Sequence, residues 1–279
     1  MRIALAGIDS SRPVRIARHI ATLGSNGHRL TGIATEGRLP SAELQEVLPP
    51  DVSVVERPRD LIGLADAVLE FGRAAVDRTA RVLPLLDAGL PVLVDKPLAL
   101  TRDAAELLAD RARRRGVALI ADSGYRTAPA LAAVLAGTGG DAGPEQLLSI
   151  SGPADPGSPW GGLAFYGSHH AQILQELRPD ALAKTESLEV RRGMGGEISA
   201  QVGERVQLRF TDPAGSDGFA VTIGDRTVPL APAPDYLERL IDHFLAECTA
   251  PRHDDGWRRR LVDPVALLER ISGGLLRLP

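Results

Sequence analysis

The first half of the chain alternates short apolar runs with segments of helical period. Apolar positions three and four residues apart predict helices at 13–23, 74–88 and 104–115. Apolar runs of strand length lie at 2–6, 30–34, 52–55, 66–69, 92–94 and 118–121. Strands that alternate with helices form a parallel, doubly wound sheet with helices on both faces. The sequence therefore predicts an α/β fold with a Rossmann domain over residues 1–121.

The second half alternates apolar and polar residues with a period of two. These runs lie at 147–151, 187–192, 198–202, 205–211, 219–223 and 227–230. Gly-Gly, Asp-Pro and Gly-Asp turns separate several of them, which is typical of antiparallel strands. Helical spacing recurs at 129–135, 171–177, 236–248 and 264–276. We predict a C-terminal α+β domain over residues 122–279, with an open, largely antiparallel sheet.

Composition narrows the class of protein. A chain of 279 residues with 44% hydrophobic residues and a net charge of -4 is typical of a soluble, two-domain protein. The arginines are scattered, so no nucleic-acid partner is expected. No apolar run approaches the roughly 18 residues of a membrane span, and the cytoplasm is the expected location. The single cysteine, Cys248, excludes an internal disulfide.

The most informative stretch is the apolar run 92–94, which stops at Asp95-Lys96-Pro97. Open α/β sheets bind ligands at the carboxyl ends of their strands, where these charges lie. Lys96 is unusual because only two of the 32 basic residues are lysines, Lys96 and Lys184. An ammonium group can exchange a proton near neutrality, whereas a guanidinium cannot. The pattern predicts a chemical role for Lys96, and the alternative is a solvated surface lysine.

The turn after the first strand, GIDSSR, lies where a G-x-G-x-x-G dinucleotide motif would fall. Gly7 matches the first glycine, but Asp9 and Arg12 replace the second and third. The hydroxyls of Ser10 and Ser11, the Arg12 side chain and the first N–H groups of the helix are predicted to hold phosphates. The alternative is that Asp9 and Ser10 only cap this helix.

The end of the second strand leaves the choice between NAD and NADP open. Thr35 occupies the usual place of the carboxylate that binds the ribose, and Arg38 follows three residues later. A small hydroxyl with a nearby arginine favours the 2′-phosphate of NADP. Glu36 favours the free 2′-hydroxyl of NAD.

Three segments resemble the Gfo/Idh/MocA oxidoreductases, the family of glucose-fructose oxidoreductase and inositol dehydrogenase. They are AGLPVLVDKPLALT at 88–101, GGLAFYGSHHAQ at 161–172 and, more weakly, Tyr125-Arg126-x-x-Pro129. The resemblance implies a Rossmann domain and a C-terminal domain that supplies the substrate floor and often an oligomer interface. It also implies hydride transfer with NAD or NADP. A homodimer or homotetramer formed through the C-terminal sheet follows as an expectation.

The resemblance also implies residue roles. Lys96 would orient and polarise the reacting oxygen, and Asp95, which replaces a glutamate of the family pattern, would join it at the cofactor. His169 would be the general acid or base. Two aspartates of the family pattern are replaced here by Phe165, four residues before His169, and by Gln172, three after it. A lyase, cyclase or isomerase that uses Lys96 and His169 without redox chemistry therefore stays open. So does a binding or scaffold protein.

Six residues are predicted to contact the substrate, a small hydroxyl or carbonyl compound that is sugar-like or an intermediate of secondary metabolism. They are Tyr125, Arg126, Trp160, Tyr166, His170 and Gln172. The alternative is a place in the domain interface for Tyr125, Arg126 and Tyr166. The alternative for His170 is a packing or capping role, because on a helix its side chain points about 100° away from that of His169. The same divergence argues against a zinc site made by the two histidines, and no metal is expected.

Overall fold

The computed structural model describes residues 1–137, 145–183, 187–193 and 196–278. They form two compact units. The first consists of Met1–Ala99, Asp103–Ala121 and Leu237–Arg258, and the second of Leu100–Arg102, Asp122–Tyr236 and Arg259–Pro279. Lys184 and most of the glycine-rich stretch near residue 140 lie outside the described residues.

The first unit is built on a six-stranded parallel sheet. Its strands are β1 (Arg2–Ala6), β2 (Arg29–Ala34), β3 (Ser53–Val55), β4 (Ala67–Glu70), β5 (Val92–Val94) and β6 (Leu119–Ile120). Its helices are α1 (Arg12–Thr22), α2 (Ala42–Val47), α3 (Arg78–Asp87) and α4 (Arg102–Arg115). The strand order is β3-β2-β1-β4-β5-β6, so the direction of winding reverses between β1 and β4. The predicted Rossmann sheet is confirmed.

Among its described residues, the second unit contains a mixed six-stranded sheet, three helices between residues 129 and 183, and most of the last helix of the chain. The strands are β7 (Leu148–Pro153), β8 (Leu188–Arg192), β9 (Ile198–Val202), β10 (Val206–Thr211), β11 (Phe219–Ile223) and β12 (Arg226–Leu230). The helices are α5 (Pro129–Gly137), α6 (Ala164–Leu177) and α7 (Pro179–Ala183). The order is β12-β11-β7-β10-β9-β8, and only the β7–β10 pair is parallel. The prediction of an open, largely antiparallel sheet is confirmed.

Helix α6 begins earlier than the pattern predicted. We expected a helix over 171–177 with the two histidines at its start, but α6 runs from Ala164 to Leu177. Gly161 and Gly162, both with positive φ, precede it, and the buried residues Leu163 and Ala164 extend the apolar face toward them. His169 and His170 therefore lie inside the helix, where the backbone fixes the directions of both side chains.

The last two helices are α8 (Tyr236–Glu247) and α9 (Asp255–Leu275). From Leu237 onward α8 belongs to the first unit, whereas the sequence predicted one continuous second domain from 122 to 279. Two side-chain contacts join α8 to α1: Arg15 Nε donates to Glu238 at 2.5 Å, and His19 Nε2 lies 2.8 Å from the Asp242 carboxylate. Within the described residues, no helix is long and apolar enough to span a bilayer.

Candidate active site

Lys96 is the second residue after β5 and is 3% exposed. Burial lowers the pKa of its ammonium group to about 8. Asp95 acts in the opposite direction, whereas the positive charges of Arg12, Arg78 and Arg73 lower this pKa further. The alternative of a solvated surface lysine is therefore wrong. A lysine with a pKa near the working pH can give and take a proton, as general acids and bases must.

The two unusual residues Arg12 and Asp95 pair with each other. Arg12, in the place of the third glycine, donates from Nη1 to the carboxylate of Asp95, in the place of the family's glutamate. The Arg12 guanidinium also lies 5.9 Å from the centre of the Phe71 ring, within the range of a cation–π contact. The pair joins the start of α1 to the residue before Lys96. Arg12 and Asp95 both differ from the expected motifs, and their opposite charges pair with each other.

A buried ion triad supports this end of the sheet. Glu70 at the end of β4 and Arg78 on α3 are both 0% exposed, and Arg78 Nε donates to the Glu70 carboxylate at 2.9 Å. Arg81 Nε donates to the other oxygen of Glu70 at 2.9 Å. Arg78 also donates to the carbonyl oxygens of Pro97, at 2.5 Å, and of Gly72. The triad therefore fixes the loop after β4 and the residue after Lys96.

The glycine turn has a tight geometry. Gly7 has φ of 81°, and a Cβ there would lie 2.1 Å from the backbone nitrogen of Gly72, so only glycine fits. The backbone N–H of Arg73 donates to both carboxylate oxygens of Asp9, at 3.1 and 3.2 Å. The alternative in which Asp9 caps α1 is therefore wrong. The N-cap residue is Ser11, whose side chain makes no cap bond, and the backbone N–H of Arg12 donates to Ser10 Oγ at 3.4 Å.

The residues after β2 divide into two groups. The Thr35 hydroxyl is buried and lies 3.3 Å from the carbonyl oxygen of Val55, to which it donates. Glu36 has a left-handed φ of 51°, and its carboxylate lies 3.8 Å from Arg81 Nε. Burial raises the pKa of the Glu36 carboxyl, with Arg81 acting in the opposite direction. Arg38 is exposed. Glu36 and Arg38 thus remain candidates for the ribose, and Thr35 is engaged by the sheet.

In the second unit, His169 on α6 is surrounded by aromatic rings and one hydroxyl. Its Nδ1 lies 2.6 Å from Ser123 Oγ. The ring centres of Tyr125, Phe219 and Tyr166 lie 4.8, 5.2 and 6.3 Å away, respectively. Ser123 was not predicted as a site residue. The available signal was a polar residue just after the apolar run 118–121, which is where strand ends place ligand-binding groups.

Tyr125 and Tyr166 lie close to His169, and Tyr236 lies close to Tyr125. Burial raises the pKa of the Tyr125 hydroxyl, and the neighbouring hydroxyls of Tyr236 and Tyr166 add to the rise. These are the three tyrosines of the chain. A Cβ at Gly124 would lie 2.5 Å from the Tyr236 ring, so the glycine makes room for that ring. Tyrosine combines an apolar face with a hydroxyl, a combination suited to a polar organic ligand.

The structure gives three predicted substrate contacts other roles. His170 is 0% exposed, bonds through Nε2 to the carbonyl oxygen of Arg209 at 3.1 Å, and packs on the rings of Phe210 and Phe219. Burial lowers its pKa to about 4. We therefore assign His170 to packing, the alternative that its position on the helix had suggested.

Arg126 and Gln172 are engaged within the second unit. The buried guanidinium of Arg126 donates to Glu176 at 2.5 Å and to Gln175 at 2.6 Å, and it lies 3.0 Å from the Asp122 carboxylate. We therefore assign Arg126 to this network rather than to the substrate. Gln172 is buried and accepts the backbone N–H of Ser123 at 2.7 Å. Tyr125, Tyr166 and the partly exposed Trp160 stay predicted substrate contacts.

Comparison with known proteins gave matches in structure only. No family model matches the sequence, and no curated protein matches it. Among solved structures, a Gfo/Idh/MocA family oxidoreductase from Vibrio cholerae aligns over 99% of this chain and 98% of its own, with a TM-score of 0.75 and 17% identity. The chain has the fold of the Gfo/Idh/MocA oxidoreductases.

Two further structures with this Gfo/Idh/MocA-like fold contain ligands. The WlbA dehydrogenase from Thermus thermophilus, in complex with NAD and UDP-GlcNAcA, has a TM-score of 0.74 and 18% identity, and the alignment covers 100% of this chain and 95% of that one. A 3-ketoreductase from Actinomadura kijaniata, in complex with TDP-benzene and NADP, has a TM-score of 0.73 and 19% identity, with 98% and 97% covered.

Proposed function

We propose that this chain is an NAD(P)-dependent oxidoreductase that acts on a hydroxyl or carbonyl group of a small, sugar-like compound. The observation that carries the proposal is the buried Lys96, whose pKa is lowered to about 8, at the carboxyl end of a strand in a Rossmann sheet. The dehydrogenase and ketoreductase with the same fold, crystallised with NAD and NADP, support it by analogy.

The residues of the first unit fit a dinucleotide. Gly7 keeps the tight turn of the motif, and the start of α1 offers backbone N–H groups to a phosphate. We assign Gly7, Ser10, Ser11 and Arg12 to the diphosphate. We assign Glu36 and Arg38 to the ribose, and Asp95 and Lys96 to the nicotinamide end. When bound, the nicotinamide supplies or accepts the hydride.

Lys96 is the proposed proton donor and acceptor. In the reducing direction the carbonyl oxygen takes a proton as the hydride reaches the carbon, and the Lys96 ammonium gives that proton and becomes a neutral amine. In the oxidising direction the neutral amine takes the hydroxyl proton. His169 is the second proposed catalytic residue, in contact with the substrate.

The pH dependence of kcat should report this role. Because the pKa of Lys96 is about 8, the protonated form needed for reduction is lost as pH rises through about 8. We therefore expect the rate of carbonyl reduction to fall above this pH and the rate of alcohol oxidation to rise. A rate profile that is flat from pH 6.5 to 9.5 in both directions would contradict the role of Lys96.

The proposal is tested by a turnover screen. Nucleoside-diphosphate sugars, free aldoses and cyclitols are incubated with NAD⁺ or NADP⁺, and their keto forms with NADH or NADPH, while the nicotinamide absorbance is followed. We expect turnover with at least one sugar-like compound, measured against the Lys96→Ala variant as a blank. Conversion of a compound, detected by mass spectrometry, without change in the nicotinamide would favour the non-redox alternative instead.

Asp9 supplies a separate prediction about the cofactor. Its carboxylate occupies the second glycine position, and two charges about 4 Å apart at an effective dielectric constant of about 20 repel by roughly 4 kcal/mol before screening by salt. Asp9→Asn removes the charge and keeps an oxygen for the Arg73 N–H. We expect the Kd for NADH to fall by about tenfold, which corresponds to about 1.4 kcal/mol. Unchanged or weaker binding in calorimetry would refute the repulsion.

A further inference from the structure

His169 has a hydroxyl at its Nδ1 that no motif of the sequence indicated. Ser123 is 4% exposed, and its Oγ lies 2.6 Å from that nitrogen. The same oxygen accepts the backbone N–H of Tyr125 at 3.1 Å. The Ser123 backbone N–H donates to Gln172 Oε1 at 2.7 Å. The hydroxyl is therefore held at a fixed place beside the imidazole ring.

The hydrogen bonds of Ser123 determine where the proton of the imidazole lies. A serine hydroxyl has one hydrogen to donate and two lone pairs that accept. Within the described part of the chain, Ser123 Oγ has two partners, and one of them, the Tyr125 amide, only donates. The hydroxyl hydrogen thus has His169 Nδ1 as its acceptor, since a buried donor without one costs about 1–3 kcal/mol. Nδ1 accepts, and neutral His169 carries its proton on Nε2.

Gln172 holds Ser123 in place without adding a charge beside the imidazole ring. It lies on α6 one turn after His169, where the resemblance had implied an aspartate, and its amide oxygen accepts the Ser123 N–H. A carboxylate so close would favour the charged imidazolium, whereas an amide holds Ser123 without adding charge. The surrounding rings of Tyr125 and Phe219 also offer the ring a weakly polar environment. The helix carries both His169 and the residue that positions its partner.

We propose that Ser123 is a positioning residue that holds neutral His169 in the tautomer with the proton on Nε2, so that His169 meets the substrate as a hydrogen-bond donor. A carbonyl oxygen accepts such a bond, and it accepts the bond more strongly as negative charge develops on it during reduction. The inference rests on the proposed function and deepens it, because it names the carbonyl compound as the form of the substrate that the site is set to bind. Oxidation of an alcohol by His169 as a base requires the opposite tautomer.

The tautomer is measured directly by NMR of protein labelled with ¹⁵N in the histidine rings, at a pH where the His169 ring is neutral. The His169→Gln variant identifies the signals. We expect the hydrogen on Nε2 in the wild type, with widely separated shifts for the two ring nitrogens. In Ser123→Ala the separation should narrow as both tautomers become populated. Ser123→Thr, which keeps the hydroxyl, should restore it.

Ser168→Ala is the matched control. Ser168 is also buried, precedes His169 on α6, and donates its hydroxyl to the carbonyl oxygen of Phe165. This variant removes the same atom without touching the imidazole, so the His169 signals should not change. With a carbonyl substrate, we expect kcat to fall by about tenfold or more in Ser123→Ala and to stay within about twofold in Ser168→Ala.

The outcomes separate this inference from the proposed function. A wild-type ring with its proton on Nδ1, or a ring whose signals do not change in Ser123→Ala, overturns the role of Ser123 whatever the activity. The expected signals combined with no nicotinamide-dependent turnover leave Ser123 as the residue that fixes the tautomer and overturn the oxidoreductase instead.

Discussion

Replacing Lys96 with methionine is expected to lower kcat by about 10²–10⁴-fold, the usual cost of losing a general acid or base. The same change should raise the free energy of unfolding at pH 7. In the folded protein the ammonium is buried and its pKa falls from its ordinary value to about 8. Each pKa unit corresponds to about 1.4 kcal/mol, so the buried charged ammonium lowers the free energy of unfolding by up to about 3 kcal/mol. Methionine has a similar length and avoids that cost.

Urea unfolding and steady-state kinetics on the same preparations test both parts. Because the folded pKa is lower than the unfolded one, the unfolded chain binds more protons between about pH 8 and the ordinary lysine value. Wild-type stability should gain a contribution as pH rises through that window, and the methionine variant should lack it. Lys96→Arg keeps a charge that cannot be released, and we expect it to be inactive and less stable than the wild type. A methionine variant with near-normal turnover would exclude Lys96 from the chemistry.

Changing Glu70 to glutamine is expected to lower the free energy of unfolding by about 3–5 kcal/mol, which is the usual cost of removing one partner from a buried ion pair. The Glu70 carboxylate accepts hydrogen bonds from Arg78 and Arg81, each at 2.9 Å. Glu70 and Arg78 are fully buried. Glutamine has nearly the same shape as glutamate, so packing should change little. The stability is lost because two guanidinium groups no longer have a carboxylate as their partner. Such a loss is a large part of the total stability of most domains.

Asp66→Asn is the control for this prediction. Asp66 pairs with Arg2 at 2.8 Å in the same unit, but both side chains are more than 40% exposed. Exposed ion pairs contribute at most about 1 kcal/mol, so the urea midpoint should change little. Equal effects of the two substitutions would mean that the Glu70 triad does not stabilise the loop after β4.

The sequence predicted the two sheets well because buried strands have recognisable patterns of apolar residues. The central strands β1, β4 and β5 are almost wholly buried and read as continuous apolar runs, and β9 and β10 alternate with a period of two. The strand-end position also drew attention to Lys96, which the structure shows to be buried. The start of α6 was missed because the sequence pattern indicated helical spacing only from residue 171 onward, whereas the helix begins at Ala164.

Partners distant in sequence could not be predicted. The sequence offered a helix cap as the alternative role of Asp9, but Asp9 accepts from an amide 64 residues away. Ser123 and His169 are 46 residues apart, and Arg12 and Asp95 are 83 apart. A local pattern indicates that a polar residue is buried, whereas the group that satisfies it depends on tertiary structure. For the same reason Arg126 and His170 looked like substrate contacts before their internal partners were known.

The central claim is that the first unit binds a nicotinamide dinucleotide, and the most direct test is calorimetric titration of the purified chain with NADH and with NADPH. We predict saturable binding of at least one of them to one site per chain, and the ratio of the two Kd values also decides between NAD and NADP. At a hundredfold excess over Kd the same ligand should add about 2.7 kcal/mol to the free energy of unfolding. The absence of binding and of stabilisation with both dinucleotides at millimolar concentration would contradict the account.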